Sequence, residues 1–139
     1  MFVSLLAGWS GVAIASDLYV SDLRKCYPGE KNTSSKTCVV DGDTIWLKGN
    51  NLRLKDFDTP EPQTDICGGD VEVALANRAS DRLLELLNDN RWTVETYGLD
   101  NTGKRVLATI RIDGRDVGDF LIKEGLARRW PEGDEWWCD

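Results

Sequence analysis

The chain has 139 residues, 41% hydrophobic and 29% charged, enough for one compact domain with its own core; this excludes a disordered chain, a collagen-like chain and a two-domain enzyme with a separate substrate lobe. It contains no histidine, which removes every mechanism built on an imidazole base, every serine–histidine triad and the common histidine zinc sites. Its formal net charge of -7, from 24 acids against 17 bases, repels phosphates globally, so any nucleic-acid activity has to rest on a local site or a bound cation.

Residues 1–16 carry no charged side chain and include Phe2, Leu5, Leu6, Trp9 and Ile14. They end in Ala13-Ile14-Ala15, a small-x-small pattern that suits signal peptidase, and read as the remnant of a secretory signal. The alternative is an N-terminal strand or helix docked on the core. The stretch is too short and glycine-broken for a transmembrane span, and none is expected in the mature form. Residues 17–35 read as a polar tail and loop, with Tyr27-Pro28-Gly29 as a turn. The domain proper is placed at 36–139.

From Thr37 the pattern turns to strands. Cys38-Val39-Val40 leads into the bend Asp41-Gly42-Asp43, and Thr44 to Leu47 resumes as a strand. Lys48-Gly49-Asn50-Asn51 has hairpin-turn chemistry. Leu52 to Phe57 alternates, which puts Arg53 and Lys55 on the face opposite Leu52 and Leu54. Two prolines stop that strand in Asp58-Thr59-Pro60-Glu61-Pro62. Val71, Leu75, Ala79, Leu83 and Leu86 recur at helical spacing, predicting a helix over 71–87 capped by Asp70. Strands follow at 92–97 and 106–112, separated by a polar loop at 98–104. Val117, Phe120, Leu121 and Leu126 mark a second helix that Gly125 ends. The order predicts a mainly β fold, a five-stranded barrel of the oligonucleotide-binding type with two or three packed helices; an open α+β sandwich is the alternative.

The four cysteines, Cys26, Cys38, Cys67 and Cys138, are even in number and form no Cys-x-x-Cys pair. A disulfide framework in an oxidising compartment fits them, which points to a secreted or periplasmic protein. Of three connectivities the preferred one pairs Cys26–Cys38, a short loop, and Cys67–Cys138, which ties the end of the chain to its middle.

Carboxylates cluster at two bends, Asp41/Asp43 and Asp58/Glu61. If the strands pair, Asp43, Asp58 and Glu61 offer oxygen ligands with no nitrogen or thiolate nearby, the donor set of a hard cation, Ca2+ before Mg2+ or Mn2+. Arg53, five residues before Asp58, places a forked cation beside them, as phosphoryl chemistry demands. Taken singly, each element is ordinary turn chemistry, and Arg53 reads as a surface ion pair with Asp56 or Glu61.

The combination Val39-Val40-Asp41-Gly42-Asp43-Thr44 followed by Arg53-Leu54-Lys55-Asp56-Phe57-Asp58-Thr59-Pro60-Glu61 strongly resembles the thermonuclease (staphylococcal nuclease-like) family. Glu72 with Ala74 and Ala76, Arg105-Val106-Leu107-Ala108, and Leu121 to Ala127 resemble its later segments, in order. The resemblance implies an oligonucleotide-binding-type barrel and Ca2+-dependent hydrolysis of DNA or RNA that leaves 3′-phosphates. It implies Asp43, Asp58 and the Thr59 carbonyl as metal ligands, Asp41 as a carboxylate behind them, Glu61 on the attacking water, and Arg53 and Arg105 on the phosphate. The loop before Arg105 lacks the family's tyrosine and inserts Lys104, which with Trp130 is a possible substrate contact. The chain departs again after Trp130, where Cys67–Cys138 is expected to fasten the end in place of a further helix. A noncatalytic barrel binding nucleic acid or protein at the cell envelope is the alternative function. Nothing in the sequence requires a dimer, and a monomer is expected.

Overall fold

The computed structural model describes residues 15–18, 22–62 and 67–138. Residues 1–14, which hold most of the expected export segment, lie outside it, and its last two residues open strand β1 (Ala15–Leu18). There follow β2 (Cys38–Asp41), β3 (Thr44–Leu47), β4 (Asn50–Leu54), β5 (Phe57–Asp58), helix α1 (Gly69–Asp89), β6 (Trp92–Leu99), β7 (Val106–Ile112), β8 (Arg115–Asp116), helix α2 (Val117–Lys123) and β9 (Arg128–Arg129). A 3-10 turn at Trp136–Cys138 closes the described chain.

The strands pair in the order β1-β6-β7-β4-β3-β2, with β8 on β7, and β5 pairs separately with β9. Most pairs are antiparallel, but β4 and β7 run parallel. The mainly β fold with two helices is as expected, but the described strands of the expected five-stranded barrel form a mixed sheet that does not close. No ladder joins its two end strands among the described residues: β1 takes the free edge of β6, and the outer edge of β2 meets only a single parallel bridge from Lys25 to Val39. Those two additions occupy the edges that closure needs.

The β3–β4 turn has positive φ at Lys48 (49°) and Gly49 (82°), the conformation expected of a two-residue hairpin turn. One face of the sheet buries Ile45, Leu52, Leu54, Ala108 and Ile110 against Leu83 and Leu87 of α1 and Leu121 of α2. Trp92 is buried and donates its indole N–H to the Leu87 carbonyl at 3.1 Å. The segment before β2 is fixed to this body: Leu23 is buried, and its N–H and C=O both bond the Asn88 side chain at 2.9 Å.

Helix α1 is longer than predicted, and its buried stripe is rotated. Glu72, Ala76, Ala79, Ser80, Leu83, Leu86 and Leu87 face inward, whereas Val71 is 67% exposed. The cause is polar. Glu72 sits at the inward position of the first turn, where backbone donors surround it. Asp70 makes no cap; the cap residue is Gly68, and Glu72 reaches back to its N–H at 2.9 Å in the manner of a capping box. Asp116 caps α2 by accepting from the Gly118 N–H at 2.8 Å. Both expected disulfides, Cys26–Cys38 and Cys67–Cys138, are formed. Of the tryptophans near the chain end, Trp137 is buried, Trp136 is 40% exposed and Trp130 is 49% exposed.

Candidate active site

Two corners and one strand build the site. The β2–β3 corner is held by Asp41, whose Oδ1 accepts the Asp43 N–H at 3.1 Å. Gly42 lies at the tip because a Cβ there would stand 2.6 Å from the Thr59 side chain. That contact brings the second corner, after β5, onto the first. Thr59 donates its N–H to Asp43 Oδ2 at 3.1 Å, and Asp43 is itself buried.

Arg53 lies between the two acids. Its NH1 is 3.3 Å from Asp43 Oδ2 and its NH2 is 3.7 Å from Asp58 Oδ1. The alternative reading of Arg53, a surface pair with Asp56 or Glu61, is not what forms; Asp56 pairs with Lys55 instead. The parallel register Leu52↔Val106, Arg53↔Leu107 places Arg53, Lys55, Arg105 and Leu107 on one face of the sheet. These four, with Asp100, Thr102 and Trp130, line a cleft of about 400 Å³. Arg105 Nε bonds Asp100 Oδ2 at 2.8 Å. Lys104 is exposed and is not part of the cleft wall.

The acids repel one another. Burial, with the neighbouring Asp41, pushes Asp43 up to about 7 against the pull of Arg53. Burial and then Asp43 raise Asp58, opposed by Arg128 and Arg53. Burial, Asp43, Asp58 and Glu72 together raise Glu61. Glu72 behaves differently. Burial pushes it upward, but N–H donors from Glu61, Gly68 and Cys67 outweigh that and hold it below its ordinary value. Its Oε2 accepts the Glu61 N–H at 2.9 Å, so a buried carboxylate on α1 fixes the backbone of Glu61.

A hard divalent cation suits this donor set. Asp43 and Asp58 crowd their negative charge in a desolvated place, and the Thr59 hydroxyl, buried beside them, has no hydrogen-bond partner among the described residues. These carboxylates, and the Thr59 carbonyl expected beside them, are oxygen donors of the kind Ca2+ and Mg2+ prefer. The compact group Cys26, Glu30 and Cys38 is not a rival, because both sulfurs are locked in a disulfide.

Sequence reasoning missed two residues. Glu72 figures in the sequence only as part of a segment that resembles the family, and nothing local shows that it is buried. Arg128 was not seen at all: it reaches Asp58 through the β5–β9 pair, in which Asp58 lies opposite Arg128.

The family model for staphylococcal nuclease homologues matches residues 51–135, more than half of the chain. The chain belongs to that family. The match covers Arg53, Asp58, Glu61 and Arg105 and begins after Asp43, which the fold joins to them through Thr59 and Arg53. Among curated relatives of this staphylococcal nuclease homologue, the succinoglycan biosynthesis protein ExoI of Rhizobium meliloti (strain 1021) is 33% identical over 92 residues, covering 64% of this chain and 48% of the relative. The endonuclease YncB of Bacillus subtilis (strain 168) is 34% identical over 96 residues, 65% of this chain and 44% of the relative. The SPbeta prophage-derived endonuclease YokF of the same organism is 35% identical over 96 residues, 65% of this chain and 31% of the relative. The chain spans about half or less of the length of these relatives.

Proposed function

We propose that this protein hydrolyses phosphodiester bonds of DNA or RNA in a Ca2+-dependent reaction. The observation that carries the reading is the convergence of Asp43 and Asp58, from separate corners, on the Arg53 guanidinium beside a cleft that also holds Arg105. Asp43 and Asp58, with the Thr59 carbonyl, would hold the cation, and Asp41 keeps Asp43 in its turn. When bound, the cation supplies neutralisation of negative charge on the phosphate oxygens. Arg53 and Arg105 bind and orient the same phosphate from the face they share. Glu61, half-buried and raised toward neutrality, takes a proton from the attacking water, a role that suits a carboxylate where no histidine exists. The water oxygen bonds to phosphorus, the bond to the 5′-oxygen breaks, that oxygen takes a proton from solvent and leaves as a 5′-hydroxyl, and a 3′-phosphate remains.

Trp130 stands half-exposed on the cleft wall and offers a stacking surface for a base, while Lys104 meets the strand outside the cleft. This local basic and aromatic surface answers the global charge of -7 and makes binding strongly dependent on salt and cation. The two disulfides support a secreted or periplasmic site of action. No helix among the described residues is long and apolar enough to cross a membrane. We take the working form to be a monomer.

Digestion of single-stranded DNA and of RNA, with and without Ca2+, tests the reading on the native protein and on E61Q. The native protein is expected to cut with Ca2+ and not after chelation, and E61Q to lose about 10²–10⁴-fold in rate at an unchanged melting temperature. If both polymers stay intact at millimolar Ca2+, the protein is a noncatalytic binding module instead.

A further inference from the structure

Resting on that reading of the site, we infer that Arg128 is a positioning residue that fixes Asp58 and Trp130 relative to each other, so that the acid facing the cation and the ring facing the base move as one unit. The antiparallel register sets Asp58 directly opposite Arg128, with both side chains on the same face. Arg128 Nε and NH2 each lie 3.0 Å from Asp58 Oδ2. The remaining terminal nitrogen, NH1, donates to the Gly133 carbonyl at 2.8 Å. The guanidinium carbon stands 4.9 Å from the centre of the Trp130 ring. Every nitrogen of the fork is thus committed, and the side chain is only 12% exposed.

The arrangement divides the labour of the Asp58 carboxylate. Oδ2 is engaged by Arg128, and Oδ1 faces Arg53 at 3.7 Å and, beyond it, Asp43. Groups that orient a metal-holding acid in this way set its affinity: losing one typically costs about 10–100-fold in metal affinity or activity. A lysine keeps the charge but not the planar fork, and cannot hold Asp58, Gly133 and the indole face together. Arg53 cannot substitute, because it is shared with Asp43.

The test is a Ca2+ titration of the wild type, R128Q and R128K, read first as the rise in melting temperature without substrate and then as kcat and KM on single-stranded DNA. R128Q is expected to need about 10–100-fold more Ca2+ for half of its melting shift, with kcat lowered at saturating Ca2+. R128K is expected to lie nearer R128Q than the wild type. An unchanged or lower Ca2+ midpoint in R128Q, or full recovery in R128K, overturns the inference; Arg128 then serves charge or general stability only. Should R128Q fail to fold, an unchanged midpoint in R128K overturns it equally. A wild type whose melting and cleavage respond to none of Ca2+, Mg2+ and Mn2+ brings down the cation reading of the whole site, a result distinct from a responsive wild type with indifferent variants.

Discussion

Two places in this molecule set aspartates against arginines, with opposite electrostatic outcomes. In the loop between β6 and β7, Asp100 is ringed by donors: the Thr102 hydroxyl at 2.6 Å, the Thr102 N–H at 3.1 Å and Arg105 Nε at 2.8 Å. The Thr102 hydroxyl and then Arg105 pull it down to about 2. At the two corners, Asp43 and Asp58 also meet guanidiniums, yet both are raised, Asp43 to about 7. The difference lies in the company. Asp100 has three donors turned onto its carboxylate, whereas Asp43 has the acids Asp41 and Asp58 for neighbours. A carboxylate in the first setting holds a turn; in the second it is short of positive charge, and that deficit is what a cation would fill.

The largest expected break of this contrast is R53A. Removing the guanidinium between Asp43 and Asp58 should lower cleavage by about 10²–10³-fold, and a Ca2+-dependent nuclease assay beside a melting curve checks it. R105A should also lower turnover while leaving the melting temperature nearly unchanged, because its partner is a loop acid. Next in size is E72A, which strands the N–H groups of Glu61, Cys67 and Gly68. It should destabilise by about 2–3 kcal/mol in urea unfolding and lower kcat through Glu61.

A smaller effect is expected on pH dependence. The folded pKa of Asp43, about 7, lies above its ordinary 3.8, so the metal-free folded state binds the extra proton and gains stability as pH falls through 7 toward 4. For Asp100 and Glu30, each near 2 when folded, stability is present above about 4 and is lost as pH falls toward 2. Melting temperature without Ca2+ should therefore peak between about pH 4 and 6. D43N should flatten the alkaline side and raise the melting point at pH 8 by a few degrees, equivalent to roughly 1 kcal/mol, while abolishing the Ca2+ response. The smallest change is expected from D100N, which should soften only the acid side.

Much of this contrast was legible as local pattern. The strands expected at 44–47 and 106–112 match β3 and β7 at their limits, and the hairpin signal Lys48-Gly49-Asn50-Asn51 contains the turn, narrowed to Lys48 and Gly49, that sets Arg53 opposite Thr44. The acids stood out because they flank the corners at Gly42 and Pro60, where the strands end. What escaped is non-local. The two-residue pair that delivers Arg128 to Asp58 joins positions 70 residues apart, too short a ladder for any periodicity to announce. Glu72 was misjudged because its burial depends on donors from another loop, and Val71 because apolar spacing alone cannot say where a helix faces when its first turn buries an acid. The state of the sheet edges was not legible, because edge pairing by β1 and Lys25 leaves no trace in alternation.

The parallel pairing of β4 with β7 has a kinetic meaning. Hairpin neighbours meet early and cheaply, but β4 and β7 register only after the whole of α1 and β6 has been laid between them. Arg53 and Arg105 therefore become companions only once α1, β6 and β7 have all been laid down. A partly synthesised chain would possess its acids without its paired guanidiniums, so any cleavage that needs both, as proposed, would wait for the completed sheet.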